Sequence, residues 1–174
     1  EWVAQGLFDH DRVLSSLAGE ATFPFAYRWR GLELGFYRSV KKRTPAAYAS
    51  DWAVNYNTNG TLNWGPDIVR ELLFHEVFHL NDGEHRGWSV RALSGVYERI
   101  VKKCGTKKAC LEPYAPVETS TRGTYYAFLP ANGVGEYAAE LATRYFREQR
   151  LVGQKKAPPA FKCRTPENAV AWSL

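Results

Sequence analysis

A helical pattern of apolar residues begins at Pro66 and brings two histidines onto one face. Proline fits the first position of a helix, and apolar residues then recur three and four positions apart, at Ile68, Val69, Leu72, Leu73, Val77 and Leu80. This spacing predicts an amphipathic helix over about residues 66–82. We expect it to end at Gly83, because glycine readily adopts the left-handed conformation at helix ends. His75 and His79 are four positions apart within this helix, so their side chains share a face.

The two histidines and the glutamate after the first form the pattern HExxH, which reads HEVFH here. Imidazoles at this spacing can bind one zinc ion, and the adjacent carboxylate can take a proton from an attacking water. Two surface histidines beside a solvated glutamate are the alternative. However, the helix is strongly apolar, and three of the four histidines of the chain lie within residues 74–85. We therefore predict one catalytic Zn²⁺ ion, with His75 and His79 as ligands and Glu76 as the general base.

A catalytic zinc ion needs a third protein ligand, and two residues compete for this role. His85 has the spacing of the extended motif HExxHxxGxxH, but that motif needs glycine where this chain has Asp82 and a methionine turn, and the chain has no methionine. Glu136 is expected at the start of a helix, where a carboxylate is favoured. Glu140 lies one turn further on, and a cation beside both carboxylates would relieve their repulsion. We favour Glu136 and keep His85 as the alternative, which would make the chain a metzincin-like protease. A non-catalytic zinc-binding module, such as a toxin fragment or an interaction module, is the other alternative.

Three segments resemble one family of zinc peptidases. HEVFH (75–79) with the downstream GEYAAE (135–140) looks like the glutamate-zincins, in which a glutamate on a following helix completes the metal site. More narrowly, HLND (79–82), EYAAELA (136–142) and VGQKKAPPAF (152–161) are similar to the anthrax lethal factor-like and Pro-Pro endopeptidase group. The resemblance covers about residues 66–82 and 134–161.

The resemblance implies a zincin-like fold, peptide-bond hydrolysis and a complete set of site residues. Seven positions before the ligand glutamate, where the group has a tyrosine that steadies the oxyanion, this chain has Leu129. Tyr125 and Tyr126 are then the candidates for that role, and packing in a strand is an equally good explanation for both. By the resemblance, zinc would be bound by His75, His79 and Glu136, with Glu76 as the base and Glu140 and Asp82 as supporting residues.

The order of the expected elements is strands first and helices afterwards, which is typical of an α+β fold. Residues 52–56 alternate before Asn59-Gly60, a strong hairpin signal, and we expect strand 52–56 or 61–64 to be the edge that pairs with an extended substrate. The other expected elements are a helix over 2–18 interrupted near Gly6, strands within 23–40, a helix over 88–103, a strand in 123–130 and a helix from 135.

We therefore predict a single zincin-like catalytic domain over residues 1–174. Its sheet-rich part covers about residues 20–65, the active-site helix about 66–82, a mainly helical part about 86–150, and a tail 151–174 that follows the surface.

Charge and cysteine content suggest the setting in which the chain works. The net charge is +5, with lysines clustered in 39–45, 101–110 and 152–159, which we interpret as solvated loops rather than a nucleic-acid groove. Cys104 and Cys110 can close a small disulfide, which favours a secreted or extracytoplasmic protein and leaves Cys163 unpaired.

The expected partner is a protein or peptide substrate, with no nucleic acid, no membrane span and a monomeric chain. The first twelve residues lack a signal-peptide pattern, and the chain has no methionine. We therefore expect a processed product or an excised part of a longer protein.

Overall fold

The computed structural model describes residues 1–20, 31–158 and 160–174. The chain forms two compact units, Glu1–Asn81 and Asp82–Leu174. The first combines helices with a three-stranded sheet, whereas the second is mainly helical with one short hairpin, so the α+β class is confirmed. A single catalytic domain spanning both units stays a prediction. Within the described ranges, no helix combines the length and the apolar composition that a bilayer-spanning segment requires.

The first unit is built on a small mixed sheet. Its elements are α1 (Trp2–Glu20), β1 (Glu33–Tyr37), β2 (Ala47–Ser50), β3 (Ala53–Asn57) and α2 (Pro66–Glu84). β3 is the central strand, parallel to β1 and antiparallel to β2. The expectation that 52–56 or 61–64 forms a sheet edge is therefore wrong: β3 pairs on both sides, and residues 61–64 form no strand. The strands expected within 23–30 lie outside the described residues.

The buried face of α2 packs against the sheet as its spacing predicts. The core of this unit consists of Ala47, Val54, Tyr56, Val69, Leu73, Val77 and Leu80. Helix α1 is continuous, so the interruption expected near Gly6 is wrong. A Cβ at Gly6 would lie 3.1 Å from Leu73 Cδ2 and 3.3 Å from Arg70 Cα, so glycine serves a close approach between α1 and α2 rather than a break.

Two other glycine-based predictions are also corrected. No strand returns after Asn59-Gly60; instead, a Cβ at Gly60 would lie 2.9 Å from both Ala46 Cα and Asn57 O, so glycine permits a tightly packed loop. Helix α2 continues past Gly83 to Glu84, and the left-handed residues that end this connection are Arg86 and Gly87. Packing explains the conformation at Gly60, whereas at Gly83 the left-handed turn is displaced to Arg86 and Gly87.

The second unit is built around three packed helices, of which two are long and one is the C-terminal helix of the chain. Its elements are α3 (Trp88–Cys104), α4 (Lys108–Leu111), β4 (Ser120–Thr121), β5 (Thr124–Tyr125), α5 (Gly133–Gly153) and α6 (Pro166–Ser173), with short 3-10 turns at Glu112–Tyr114, Tyr126–Phe128 and Phe161–Cys163. Helix α3 packs against α5 and α6. The predicted Cys104–Cys110 disulfide is present, and Cys163 is free and exposed.

The segment after α5 enters the core of the second unit instead of following its surface. Phe161 and Asn168 are fully buried. Asn168 Nδ2 donates to Pro113 O at 2.8 Å and to Phe161 O at 3.2 Å. The Thr165 side chain accepts from the Asn168 backbone N–H and so caps α6. The sequence did not predict this docking.

Candidate metal centre

Helix α2 presents His75 and His79 side by side. Their Nε2 atoms are 3.1 Å apart, and the ring planes are inclined at 77°. Two nitrogens that bind one zinc ion at 2.0–2.1 Å with tetrahedral angles lie about 3.3 Å from each other. Both rings are half-buried, so they can bind a ligand while their orientation is restrained. The geometry of this pair therefore fits two ligands of one ion.

Glu76 lies on the same helix and is more buried than either histidine. It is buried, with 8% of its surface exposed. Its negative charge reaches Tyr56 on β3: burial raises the pKa of the Tyr56 hydroxyl, and the Glu76 charge raises it further. The Tyr56 hydroxyl donates to Val69 O at 3.1 Å, which ties the central strand to α2 beside the motif. Glu76 is thus held in a largely dry position, where a carboxylate is an effective base.

Glu136 lies in the first turn of α5, as predicted. One ligand atom from each of His75, His79 and Glu136 lies within 4.8 Å of the other two, and all three residues are half-buried. Among the described residues, these three form the group whose ligand atoms are close enough together to hold one metal ion. His85, the alternative third ligand, is exposed after the end of α2 and does not belong to it.

Glu140 is a deeply buried carboxyl group of α5. It is 3% exposed, and its Oε2 atom has no hydrogen-bond partner among the described residues. Burial and the negative charge of Glu136 hold the pKa of the Glu140 carboxyl well above its usual range, although the Val117 backbone N–H donates to it. A buried carboxyl oxygen without a partner is costly, so this position calls for a donor or a cation that the described residues do not supply.

Asp82, predicted as a supporting residue, has a clear partner. Its Oδ1 accepts from the Ser89 backbone N–H and its Oδ2 from the Ser89 hydroxyl, both at 2.8 Å. Since Ser89 lies in the first turn of α3, the carboxylate satisfies a free N–H at the helix start. Ser89 was not predicted as a partner of Asp82, and a serine one residue into a helix is the signal that would have suggested it.

The two candidate tyrosines differ in environment. Tyr125 is buried on β5 with the Lys108 ammonium 5.3 Å from its ring centre, and burial raises the pKa of its hydroxyl. Tyr126 is half-buried at the start of the following 3-10 turn, and its backbone O accepts from Asn132 Nδ2 at 2.9 Å. Packing accounts for Tyr125, which leaves Tyr126 as the better candidate for contact with a substrate.

Comparison of the chain with protein-family models, with curated proteins and with solved structures finds no match in any of the three. Function must therefore be inferred from the chemistry of the site.

Proposed function

We propose that this protein is a zinc-dependent endopeptidase of the glutamate-zincin type, with His75, His79 and Glu136 as the protein ligands. The observation that carries the proposal is the group formed by these three residues, whose ligand atoms lie within 4.8 Å of one another. Two imidazoles and one carboxylate are a ligand set typical of catalytic zinc, and three protein ligands leave a coordination position for water or substrate.

The surroundings of the three residues fit a cation better than an empty site. Two carboxyl groups on one face of α5, Glu136 and Glu140, repel each other in the absence of positive charge. The buried Glu140 Oε2 atom lacks a donor among the described residues. A zinc ion bound by Glu136 would offset this repulsion, and a histidine ligand could donate to Glu140 through its other ring nitrogen, an arrangement common around metal-bound histidines.

Each residue of the proposed site then has a defined chemical task. When bound, zinc supplies a Lewis acid that polarises a peptide carbonyl and lowers the pKa of a water molecule. The Glu76 carboxylate takes a proton from the attacking water and delivers it to the leaving amine. The Tyr126 hydroxyl is the candidate donor to the oxygen that becomes negatively charged.

A peptide substrate and an oxidising compartment are part of the proposal. An extended peptide can pair with a sheet edge, and β2 is bonded to β3 on one side only among the described residues. The Cys104–Cys110 disulfide supports a secreted or extracytoplasmic location, since such bonds persist where the environment is oxidising.

Metal content and hydrolysis of a peptide library test the proposal together. We expect one zinc ion per chain and cleavage that stops with a chelator and returns with zinc. Glu76→Gln should keep the metal and lose activity by about 10²- to 10⁴-fold, the usual contribution of a general base. Glu136→Gln should lose the metal, whereas Glu140→Gln should weaken zinc affinity by about 10- to 100-fold.

His85→Ala is the matched control, because it removes a histidine outside the ligand group. It should keep both metal and activity. Loss of zinc in His85→Ala, with zinc retained in Glu136→Gln, would favour the metzincin-like alternative. Stoichiometric zinc without any cleavage that depends on Glu76 would instead indicate a non-catalytic zinc-binding module.

A further inference from the structure

A basic loop, residues 38–43, projects from the end of the sheet at which the parallel strands β1 and β3 both finish. Its sequence is RSVKKR, and all four of its cationic side chains are exposed. Val40 at its centre is 91% exposed. Arg38, Lys41 and Lys42 form no ion pair with the described residues. The loop therefore presents an aliphatic side chain surrounded by positive charge that is not neutralised within the unit.

The loop is held in place by a buried asparagine. Asn57, fully buried at the end of β3, accepts through Oδ1 from the Ser39 N–H at 3.2 Å and donates through Nδ2 to the carbonyls of Lys42 and Pro45, both at 3.3 Å. Asn59 adds a bond from its Nδ2 to Ser39 O at 3.1 Å. Because these bonds fasten both sides of the loop, Val40 is displayed by a fixed backbone instead of a freely moving one.

Exposed aromatic side chains continue this surface. Phe36, the second-last residue of β1, is 60% exposed, and Trp64 is 70% exposed. Phe36 and Asn63 line the same open pocket of about 370 Å³, and Trp64 follows Asn63 directly. Glu1 lines this pocket as well, and Asp67, three positions after Trp64, is ion-paired with Arg70. At this end of the sheet, exposed apolar side chains therefore lie next to a cationic loop.

Among the described residues, two exposed carboxylates lie at the opposite end of the sheet. Glu33 begins β1, and Asp51 lies in the turn between β2 and β3. These described charges differ in sign from those of the basic loop, and an anionic surface would attract the loop and repel the two carboxylates.

We propose that the basic loop and its aromatic neighbours dock this protein on an anionic phospholipid bilayer. Val40 inserts among the headgroups, Phe36 and Trp64 lie at the interface, and Arg38, Lys41, Lys42 and Arg43 bind lipid phosphates and carboxylates. Tryptophan side chains favour the level of the headgroups, and each basic residue near an anionic membrane contributes roughly fivefold to binding. This docking is separate from the zinc site and does not depend on it.

The composition of the surface favours a bilayer over nucleic acid. A nucleic acid is bound by cations that follow its backbone and by rings on which bases stack. Phe36 and Trp64 offer rings for stacking, but the most exposed apolar side chain of this surface is the aliphatic Val40 among the cations, which offers a nucleic acid neither stacking nor a hydrogen bond. The same valine gains free energy when it leaves water for the acyl boundary of a membrane.

Co-sedimentation of the full chain with vesicles tests the proposal. Vesicles of phosphatidylcholine mixed with phosphatidylserine should bind the protein, and vesicles of phosphatidylcholine alone should not. Lys41→Gln with Lys42→Gln should weaken binding by about 25-fold, and Val40→Ser by about fivefold to tenfold. All three side chains are exposed, so the variants should unfold at the temperature of the parent chain.

The matched control is Lys155→Gln with Lys156→Gln, which changes the net charge equally at another exposed lysine pair. It should bind vesicles as the parent chain does. Equal weakening in this control would show that only net charge matters and would overturn the proposal. So would binding of duplex DNA that depends on Lys41 and Lys42 but not on Val40, in the absence of vesicle binding.

Discussion

Acidification from pH 7 to pH 5 should destabilise the protein through one buried histidine on α1. His10 is 3% exposed, and its ring meets Phe74 of α2 edge-on with the ring centres 5.1 Å apart. Burial lowers the pKa of His10 from 6.5 to about 4, although the negative charge of Asp11 opposes this change. Between these two values the unfolded chain binds a proton that the folded chain does not, so the free energy of unfolding falls as the pH falls. The stabilisation is complete above pH 6.5, and the loss between pH 7 and pH 5 is about 2 kcal/mol.

Urea unfolding of the metal-free protein at both pH values measures this loss, with His10→Phe as the reference. Phenylalanine keeps a ring against Phe74 and cannot be protonated, while every other titrating group is shared by the two proteins. The parent chain should lose about 2 kcal/mol more than the variant on acidification. Equal losses would refute the reasoning. An NMR titration that places the pKa of His10 in the folded chain near 6.5 would refute it as well, even if the variant failed to fold.

Two further predictions concern the second unit. Glu148 accepts from Arg144 Nε at 2.8 Å and from the Phe161 backbone N–H at 2.9 Å, with both charged side chains buried. Glu148→Gln should therefore cost about 3 kcal/mol in urea unfolding, because it removes the buried negative charge that Arg144 Nε contacts. Glu118→Gln, at an ion-paired carboxylate that is 66% exposed, should cost less than about 1 kcal/mol. Equal costs for the two variants would contradict the conclusion that burial makes the Glu148 contact more stabilising than the exposed one. Reduction of Cys104–Cys110, which are six positions apart, should lower the free energy of unfolding by about 2 kcal/mol, measured with and without reductant.

The long helices could be predicted from sequence because their apolar spacing and their packing agree. Helix α3 was expected over 88–103 and is found at Trp88–Cys104, with Leu93, Val96 and Ile100 buried as the spacing indicates. Val90 was expected on the same face but is 40% exposed. It lies in the first turn of α3, and the apolar spacing of a sequence does not show how far along a helix its packing partners extend.

Short strands and glycines were predicted less well, for a physical reason. A strand of four residues such as β2 is specified by its partner on β3 rather than by its own sequence. Gly6 and Gly60 were assigned to a helix break and a hairpin turn, which are the common local roles of glycine. In the structure both serve close approaches between segments distant in sequence, and no local pattern reports such an approach.

The elements that carry the candidate residues were easier to predict than the sheet. His75 and His79 lie within α2 and Glu136 lies in the first turn of α5, as expected, because helical spacing decides which side chains share a face. The unpartnered oxygen of Glu140 and the bond between Asp82 and Ser89 depend on tertiary contacts and required the structure.

The burial of Phe161 and Asn168 has a consequence for the order in which the chain matures during synthesis. The core cluster described for the first unit draws its residues from between Val3 and Leu80, so these partners leave the ribosome before most of the second unit is synthesised. The second unit needs Asn168 to satisfy the Pro113 carbonyl, which lies 55 residues earlier. Translation must therefore pass well beyond α5 before that half can reach its native state, and a ribosome that stalls earlier would leave it a substrate for chaperones and degradation.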